Sequence, residues 1–350
     1  MSQEKTQTKQ MKGVLLEKYG DNSVLNYTDI DIPKIINPKE VLIQVYSASI
    51  NPHDISVRKG EAKLVFSYVL PIIVGYDISG VIVDVGKEVT KFKKGDEVFS
   101  VGQTGAFAEF AVVPDATCAF KPKNLTHDEA ASLPMVGLTT IQVFQDFKAI
   151  EGSKIFITGG AGGIGTFATQ YATNILKCDV TTTASEKKHE ICKKLGAKTV
   201  IDYHKEDFRK ICKDFDFVYD TTHEIEKCFS ILKPKGMART ITVIPDGSVV
   251  YNLQELGLKG QSSLTPTLLN VFSSKTRLLG WWNNVDYKCI LMLPNQDQLT
   301  NLSNWVEEGK IKPVIDQIFD LKDIKDAYSY MEKGRATGKV IIHIHDEKKE

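Results

Sequence analysis

Apolar and polar residues alternate with two different periodicities along the chain. From Gly13 to about Pro122, short apolar runs are separated by Gly and Asp turns, which is typical of an irregular all-β barrel or a partly open sheet. From Lys154 to Asn283, apolar strand candidates alternate with helix candidates that often end in glycine. This second pattern predicts a doubly wound parallel sheet, so we expect an α/β protein with two kinds of domain.

The alternating region contains six strand candidates and three intervening helix candidates. The strands are KIFIT (154–158), DVTTTA (179–184), KTVID (198–202), DFVYDTT (216–222), ARTITV (238–243) and RLLGWW (277–282). The helices are GTFATQYATNILK (165–177), EKKHEICKKLG (186–196) and EIEKCFSILKPKG (224–236). A helix N-terminus, with a Thr cap followed by acidic residues, is predicted at Thr126.

The segment beyond Leu291 returns to mixed elements. A helix is predicted from Gln298 to Glu308, followed by a further strand candidate, a helix in LKDIKDAYSYMEKG (321–334) and a strand in GKVIIHIH (338–345). We expect this segment to pack back on the N-terminal β region, which makes that domain discontinuous. The long connection 245–276 contains the apolar helix candidate TLLNVF (267–272) and is interpreted as a lid or substrate wall, or equally as a subunit contact.

Composition and charge favour small-molecule chemistry. The chain has 350 residues, 42% of them hydrophobic, and its 44 Lys plus Arg balance 44 Asp plus Glu. No net field attracts nucleic acid or an anionic membrane, and no apolar stretch reaches the roughly 20 residues of a membrane-spanning helix. The sequence therefore predicts a small-molecule partner, no nucleic acid and no membrane span.

Six cysteines lie far apart, with no CxxC pair and no zinc-ligand spacing. The first ten residues are polar, contain no arginine and include a glutamate, so they resemble neither a signal peptide nor a mitochondrial presequence. We therefore expect a cytoplasmic protein with reduced thiols and a disordered tail at 1–10.

The glycine-rich loop GGAGGIG (159–165) follows the first strand of the alternating region. In such a loop the first glycine permits a tight turn, the second lets the backbone approach a pyrophosphate, and the third brings helix and strand together. Gly160, Gly162 and Gly165 occupy these positions. The alternative is a simple tight turn, but the six alternating strands favour dinucleotide binding.

The second strand of this region ends in Thr183-Ala184-Ser185, where sites that prefer NAD usually carry an acidic residue. A short hydroxyl at this position leaves room for a 2′-phosphate, and Lys187 and Lys188 follow as cations. Glu186 opposes this interpretation, and the lysines could simply be solvated helix residues. The pattern favours NADPH as the cofactor.

Taken together, these motifs resemble the medium-chain dehydrogenase/reductase superfamily, in its zinc-independent quinone oxidoreductase branch. The resemblance runs from about residue 11 to 345 and rests on NPHDISVRKG (51–60), VGYDISGVIVDVGKEVTKFKKGDEVFS (74–100), GAFAEFAVVP (105–114), LPMVGLTT (133–140), GGAGGIG (159–165), KKLGAKTVIDY (194–203) and GKVIIHI (338–344). It implies a GroES-like β-rich catalytic domain at 11–125 and 284–350 around a Rossmann NADPH-binding domain at 126–283.

The resemblance also implies which positions held zinc in related alcohol dehydrogenases. The matching residues here are Asn51, Tyr76 and Met135, none of which supplies the thiolate or imidazole that zinc needs at that place. Metal-assisted alcohol oxidation is therefore not expected.

By the same resemblance, particular residues are expected at the cofactor. Ser185, Lys188 and Tyr203 would contact the 2′-phosphate region, Thr139 would lie near the nicotinamide, and the pyrophosphate would touch Ala161, Gly162, Gly163 and Ile164. Asn51 and Asp54 would line the cleft. Asp54 could instead anchor Arg58 or a backbone turn.

Without a metal, hydride can still pass to an acceptor that is polarised by its own conjugation, such as a quinone or an α,β-unsaturated carbonyl. The cleft then needs a hydrogen-bond donor for the developing oxyanion. Tyr76 is the leading candidate, with Asn51 or Tyr46 less secure, although Tyr76 could simply pack between the domains. An enoyl thioester remains possible as the acceptor, as does a crystallin-like structural role with bound NADPH and little turnover.

Three further features are left with two interpretations each. His53 could donate a proton, but a solvent-facing loop histidine is favoured. His343 and His345 share one strand face as metal ligands do, but a solvated edge strand is favoured. Trp281 and Trp282 could stack on a substrate or form a subunit contact, and a homodimer is expected.

Overall fold

The computed structural model describes residues 9–66, 68–102, 104–243, 245–248 and 265–346. The strands are β1 (Gln10–Leu16), β2 (Leu25–Asp31), β3 (Glu40–Ile50), β4 (Ile72–Ile73), β5 (Asp77–Val85), β6 (Glu97–Val101), β7 (Phe110–Pro114), β8 (Cys118–Phe120), β9 (Lys154–Ile157), β10 (Asp179–Thr183), β11 (Thr199–Ile201), β12 (Phe215–Asp220), β13 (Leu232–Thr240), β14 (Asp286–Cys289), β15 (Ile315–Asp320) and β16 (Lys339–His343).

The α-helices of these residues are α1 (Pro52–Lys59), α2 (His127–Ala131), α3 (Pro134–Phe147), α4 (Gly163–Gln170), α5 (His189–Lys194), α6 (Phe208–Ile211), α7 (Ile225–Cys228), α8 (Thr265–Trp282), α9 (Gln296–Glu307) and α10 (Ile324–Glu332). A π-turn over Tyr171–Ile175 continues α4. Thr126 caps α2 as predicted, because its hydroxyl accepts from the backbone N–H of Glu129. Of the helices in the described parts of the chain, none has both the length and the hydropathy needed to cross a bilayer.

The N-terminal region forms two β-sheets. One sheet has the order β2-β1-β4, and the other has the order β15-β16-β3-β5-β6-β8 with β7 also paired to β3. β3 and β16 run antiparallel, with Ile50 opposite Val340. The last described strands, β15 and β16, therefore complete the sheet that contains β3. The domain bounds at 125 and 283 stay predictions.

The alternating region forms one six-stranded sheet with the order β11-β10-β9-β12-β13-β14. All of its strand pairs are parallel, and the order is that of the Rossmann fold, in which the first strand lies beside the second and the fourth. This arrangement confirms the predicted α/β fold. The first strand, β9, is central, so the loop that follows it lies at the point where the strand order reverses.

The sixth strand differs from the prediction. The run RLLGWW (277–282) is the last part of α8, and the sixth strand is β14. Helical spacing explains the difference, because the buried residues of this helix include Leu269, Ser273 and Gly280 on one face. A Cβ at Gly280 would lie 3.0 Å from the Cβ of Tyr287, so glycine allows α8 to pack closely on β14.

The third helix candidate, 224–236, is also shorter than predicted. Only α7 and one 3₁₀ turn form, and β13 begins at Leu232. Opposite β12, the register moves from the pair Phe215 and Leu232 to the pair Phe217 and Met237. The residues between these pairs, including Pro234, bulge from the ladder, which lets the strand contain a proline.

Candidate active site and dinucleotide loop

The loop after β9 brings two strands and a helix into close contact. A Cβ at Gly160 would lie 2.2 Å from the Thr182 hydroxyl oxygen, and a Cβ at Gly165 would lie 2.1 Å from the Gly159 carbonyl oxygen. Gly159 itself has φ of 67°, a left-handed conformation that favours glycine. These glycines are therefore required by the close approach of β9, β10 and α4.

Gly162 differs from these glycines, because a Cβ added there would meet only the Gly159 carbonyl oxygen, at 3.4 Å. It is the N-cap of α4, so the backbone N–H groups of Gly163 and Ile164 belong to the first turn and have no helical acceptor. The open face of Gly162 and these amides fit the pyrophosphate of a dinucleotide.

The C-terminal segment forms a wall against this loop. Gly338 pairs with Gly162 in an isolated parallel bridge, and its N–H donates to the Ala161 carbonyl at 2.9 Å. A Cβ at Gly163 would lie 3.0 Å from Cδ of Lys339. The loop of one sheet is therefore held directly by the first residues of β16 in the other.

At the end of β10, the hydroxyl of Thr183 accepts the Gly159 N–H at 3.0 Å and so supports the glycine loop. Ser185 begins a 3₁₀ turn that contains Lys188. The Lys188 ammonium donates to the backbone carbonyls of Arg335 and Ala336, at 2.7 and 2.9 Å. Burial lowers the pKa of Lys188.

Two findings around Lys188 bear on the predicted 2′-phosphate site. Glu186, which opposed that prediction, is paired with Lys205 at 2.8 Å. Arg335, which was not predicted, accepts the Lys188 ammonium at its backbone carbonyl and so fixes the position of Lys188. Its position 147 residues further along the chain left no local sequence signal.

Tyr203 lies two residues after β11, and its ring is 54% exposed. Its centroid is 4.2 Å from that of His204. β10 and β11 are parallel neighbours with Thr183 opposite Ile201. Ser185 and Tyr203 each come two residues after these strands, so both lie at the same edge of the sheet, where the carboxyl ends of the strands meet.

The three positions that matched zinc ligands lie together around Asp77. One carboxylate oxygen of Asp77 accepts the Met135 backbone N–H, and the other accepts the Asn51 side-chain N–H, both at 2.8 Å. Tyr76 precedes Asp77 in the chain. The donor set is thus an amide, a phenol and a thioether, which do not suit zinc. No group of three His, Cys, Asp or Glu side chains able to hold a metal ion occurs in the described residues.

Lys339 completes this cluster and was not predicted. Its ammonium, in a residue only 5% exposed, lies 3.1 Å from the Ile50 carbonyl oxygen, 2.5 Å from the Asn51 side-chain oxygen and 3.3 Å from an Asp77 carboxylate oxygen. The amide of Asn51 is therefore held on both sides, with its oxygen toward Lys339 and its nitrogen toward Asp77.

Tyr76 is 6% exposed, and its hydroxyl is hydrogen-bonded to that of Tyr68. Burial raises the pKa of Tyr76 well above its usual value and raises the pKa of Tyr68 to about 12. Tyr68 was not singled out in the sequence, because it lies in an irregular segment before β4.

His53 is not a solvent-facing loop residue, contrary to the favoured interpretation. It is half-buried in α1, with ring centroids 5.2 Å from Phe66 and 4.8 Å from Tyr76. Burial lowers the pKa of His53 to about 4. At neutral pH the His53 side chain is therefore uncharged, and it packs against Phe66 and Tyr76 instead of acting as a charged acid.

Asp54 caps α1, because its carboxylate accepts the Asn51 backbone N–H at 2.7 Å. Burial raises the pKa of Asp54 to about 7. Arg58 instead donates to the Gly20 carbonyl at 3.1 Å and to Glu332 at 2.9 Å. Of the two structural roles predicted for Asp54, to anchor Arg58 or to anchor a backbone turn, the hydrogen bonds show the second.

Thr139 lies in α3, one turn after Met135, and its hydroxyl donates to the Met135 carbonyl at 2.6 Å. This contact keeps Thr139 beside the Asp77 cluster. Tyr46, the less secure donor candidate, stacks on His127 with ring centroids 4.6 Å apart.

The histidines of the last strand do not form a metal pair. His343 contacts Asp128 at 3.1 Å, whereas His345 lies edge-on to Tyr46 at 6.0 Å between centroids. The predicted edge strand is also wrong, since β16 lies between β15 and β3.

One face of α8 packs on the cleft, and another is exposed. Leu269 is fully buried against Val65, Phe66, Leu291 and Leu293. Within the described part of the chain, the exposed apolar residues of α8 are Leu268, Val271, Phe272, Leu278, Trp281 and Trp282. Most of the connection predicted as a wall or contact, residues 249–264, lies outside the described residues.

Comparison with known proteins gives two family matches. Residues 37–123 match the alcohol dehydrogenase GroES-like domain, and residues 195–342 match the family described as zinc-binding dehydrogenase. Together the matches cover part of each of the two sheet regions.

Individual relatives extend over nearly the whole chain. A bovine (Bos taurus) protein named NAD(P)H oxidoreductase RTN4IP1, mitochondrial, is 32% identical over 95% of this chain and 89% of its own length. The NADPH-dependent alkenal/one oxidoreductase, chloroplastic, of Arabidopsis thaliana is 31% identical over 96% of this chain and 80% of its own. The solved structure of the quinone oxidoreductase from Coxiella burnetii superposes with a TM-score of 0.81 at 27% identity, over 96% and 100% of the two chains.

The two named relatives that exceed 30% identity cover 95% and 96% of this chain. The chain belongs to the medium-chain dehydrogenase/reductase superfamily, in its zinc-independent quinone oxidoreductase branch.

Proposed function

We infer that this protein is an NADPH-dependent oxidoreductase that reduces quinones or α,β-unsaturated carbonyls by hydride transfer. The observation that carries the inference is the direct contact between the dinucleotide loop and the cleft. Gly338 pairs with Gly162 of the loop, and the next residue, Lys339, reaches Asn51 in the cleft. A nucleotide on the loop would therefore extend toward the Asn51 and Tyr76 cluster.

The preference for NADPH over NADH is part of this proposal. Lys188 and Ser185 lie where β10 ends, and Tyr203 follows the neighbouring strand. β10 ends in Thr183 and is followed by Ala184 and Ser185, without an acidic residue at the strand end. Ammonium and guanidinium groups favour a 2′-phosphate. The name of the Arabidopsis relative specifies NADPH, whereas that of the bovine relative covers both nicotinamide cofactors.

The acceptor classes follow from the donor groups in the cleft. When bound, the reduced nicotinamide supplies a hydride. An amide, a phenol and a thioether at Asn51, Tyr76 and Met135 offer hydrogen bonds but no Lewis acid, so the acceptor must be activated by its own conjugated π-system. The names of the alkenal/one oxidoreductase and quinone oxidoreductase relatives describe such acceptors.

In this proposal the hydroxyl of Tyr76 is part of the hydrogen-bonded group that donates to the oxygen of the acceptor. Asn51 forms part of the cleft wall beside it. Thr139 contacts the nicotinamide side, and the loop residues Ala161, Gly162, Gly163 and Ile164 contact the pyrophosphate. The buried Asp77 and Lys339 fix the Asn51 amide, so this wall changes little during the reaction.

An acceptor panel after exhaustive chelation tests the function. NADPH oxidation is measured with 9,10-phenanthrenequinone, with an alkenal and with a saturated ketone, and NADH is the parallel control. We expect turnover of at least one conjugated acceptor, none of the saturated ketone, and faster reaction with NADPH. If no conjugated acceptor is turned over while NADPH still raises the melting temperature, the protein is instead a nucleotide-binding structural protein.

We also propose that the protein is a homodimer through the surface of α8 and β14. β14 is the last strand of its sheet, and the exposed face of α8 carries large apolar side chains next to it, as a self-complementary interface would. Val271→Ser with Trp282→Ser should give monomers in sedimentation experiments. Ile150→Ser, which changes an apolar residue exposed elsewhere, is the control, and an unchanged dimer in the double variant would contradict this interface.

A cytoplasmic location is proposed from the cysteines. All six are free thiols, as a reducing compartment requires. The bovine and Arabidopsis relatives are named mitochondrial and chloroplastic, so fractionation of cells that express the protein decides between these compartments.

A further inference from the structure

The hydroxyl groups of Tyr68 and Tyr76 form a pair deep in the cleft. Each phenol has one O–H, so only one of the two can donate within the pair. The other O–H remains available to a third group. Which phenol keeps its O–H available decides which one can bind the oxygen of an acceptor.

Burial of the two rings separates their roles. Tyr76 is 6% exposed, and His53 packs edge-on against its ring. Tyr68 is half-buried and is therefore the more accessible of the two phenols. Burial raises the pKa of both phenols, so each keeps its proton at neutral pH and either can donate within the pair. Because Tyr68 is the less buried of the two, its O–H is the one that an acceptor oxygen can reach, which leaves Tyr76 to donate within the pair.

Contacts from both sheet regions hold the Tyr68 segment in place. The rings of Phe66 and Tyr68 are stacked with centroids 6.1 Å apart, and Phe66 also contacts His53. Leu269 of α8 is buried against Val65 and Phe66. The segment is therefore clamped between α1 and α8, which fixes the Tyr68 hydroxyl relative to the cleft.

We propose that Tyr68 is the catalytic residue that donates a hydrogen bond to the carbonyl oxygen of an α,β-unsaturated substrate, and that Tyr76 is a positioning residue that donates to Tyr68. This inference rests on the proposed function. It moves the direct donor from Tyr76, the position suggested by the sequence, to a residue eight positions earlier in the irregular segment.

The electron flow explains what the donor must do. Hydride from a C–H bond of the reduced nicotinamide, which would be left oxidised, would add to the β-carbon of the substrate. The C=C π pair would then form the double bond from the α-carbon to the carbonyl carbon, and the C=O π pair would move to the oxygen to give an enolate. Tyr68 stabilises this oxygen, and the hydrogen bond from Tyr76 compensates part of the negative charge shared by Tyr68. Water supplies the proton that finally reaches the α-carbon.

Kinetics of the hydroxyl-deletion variants test the assignment. Tyr68→Phe should lower kcat for an alkenal by about 10- to 100-fold with unchanged NADPH affinity. Tyr76→Phe should lower kcat by less than about 10-fold, since the Tyr68 O–H remains, and the double variant should resemble Tyr68→Phe. Tyr330→Phe removes a hydroxyl that bonds Asp316 and not Tyr68 or Tyr76, and at saturating NADPH it serves as the matched control.

A second measurement needs no turnover. The absorption of 4-(dimethylamino)cinnamaldehyde moves to longer wavelength when its carbonyl oxygen accepts a hydrogen bond, because its excited state carries more negative charge on that oxygen. We expect this shift with the unmodified protein and the Tyr330→Phe control, a smaller shift with Tyr76→Phe, and none with Tyr68→Phe.

The outcomes separate this inference from the proposed function. A larger loss of kcat and of the spectral shift in Tyr76→Phe than in Tyr68→Phe would overturn the assignment of Tyr68 while leaving the reductase activity intact. If the unmodified protein oxidises NADPH with none of the acceptors, the proposed function fails, and the spectral shift still decides which phenol binds the carbonyl.

Discussion

The ammonium nitrogen of Lys339 lies 2.5 Å from the side-chain oxygen of Asn51, and the two residues are 288 positions apart in the chain. The same ammonium contacts the buried Asp77 at 3.3 Å. Lys339 of β16 therefore supplies the cation that pairs with the Asp77 carboxylate beneath the cleft.

Lys339→Met should destabilise the protein strongly. Removing one member of a buried ion pair leaves the other charge uncompensated, which typically costs about 3–5 kcal/mol. Urea unfolding measures this loss. Lys322→Met removes an exposed pair with Asp320 and should change stability little; Asp77→Asn in the Lys339→Met background should restore part of the loss. Equal effects of the two lysine variants would contradict the importance of the buried pair.

Two glycine variants should separate cofactor binding from folding. Gly165→Ala places a methyl group 2.1 Å from a backbone oxygen, so we expect a loss of at least about 2 kcal/mol of stability. Gly162→Ala meets nothing closer than 3.4 Å, so the protein should fold but bind NADPH weakly, because the methyl group fills the pyrophosphate space. Thermal melts with and without NADPH distinguish the two; full NADPH affinity in Gly162→Ala would exclude this pyrophosphate site.

Lys188→Ala should weaken the binding of NADPH by about 10- to 100-fold, because a charge-assisted contact to a phosphate contributes about 1.5–3 kcal/mol. The binding of NADH, which has no 2′-phosphate, should hardly change. Dissociation constants for both cofactors, measured by calorimetry, test this. Lys187→Ala is the neighbouring control, since Lys187 is exposed. Equal weakening of both cofactors would mean that Lys188 only anchors the Arg335 segment.

Asp54 should make stability depend on pH. Its pKa in the folded protein is about 7, mainly because of burial, and its unfolded value is near 4. Between these values the folded state binds the extra proton, so stability falls as pH rises from about 4 to 7 and then levels off. Asp54→Asn keeps an acceptor for the Asn51 N–H and removes this fall.

The melting temperatures of Asp54→Asn and the unmodified protein should therefore be similar near pH 4.5, and the variant should be more stable near pH 8. Glu129→Gln changes the equivalent cap on α2 and is the control. Parallel pH profiles for Asp54→Asn and the unmodified protein would contradict a titrating Asp54.

The cysteines should resist alkylation by the electrophiles that the enzyme reduces. Cys118, Cys178, Cys192 and Cys228 are buried. Burial raises the pKa of Cys212 to about 11 and of Cys289 to about 12, which keeps both half-buried thiols protonated and unreactive at neutral pH. After incubation with acrolein at pH 7, intact-mass measurement should show little modification. Rapid modification of Cys118 would contradict the described core.

Local signals carried much of the sequence-based prediction. The glycine loop after β9, the cap at Thr126 and the strand rhythm all depend on residues close together in the chain, so their patterns are readable. The sixth strand was misplaced because β14 has little apolar character, whereas the run before it is apolar on a helical face.

The active-site partners could not be predicted in the same way. Lys339 reaches Asn51, and Lys188 reaches Arg335, only after two distant parts of the chain have folded together. Tyr68 is close to Tyr76 in sequence, but the segment between them has no periodic pattern, so its hydroxyl could not be directed toward the cleft.

The placement of β16 also orders the events of folding. Every strand of the Rossmann sheet precedes β16 in the chain, so during synthesis that sheet can assemble while the cleft still lacks Lys339. Newly made chains should therefore form the glycine-rich nucleotide loop before they become catalytically competent. Docking of β16 beside β3 then brings Lys339 to Asn51 and completes the cleft.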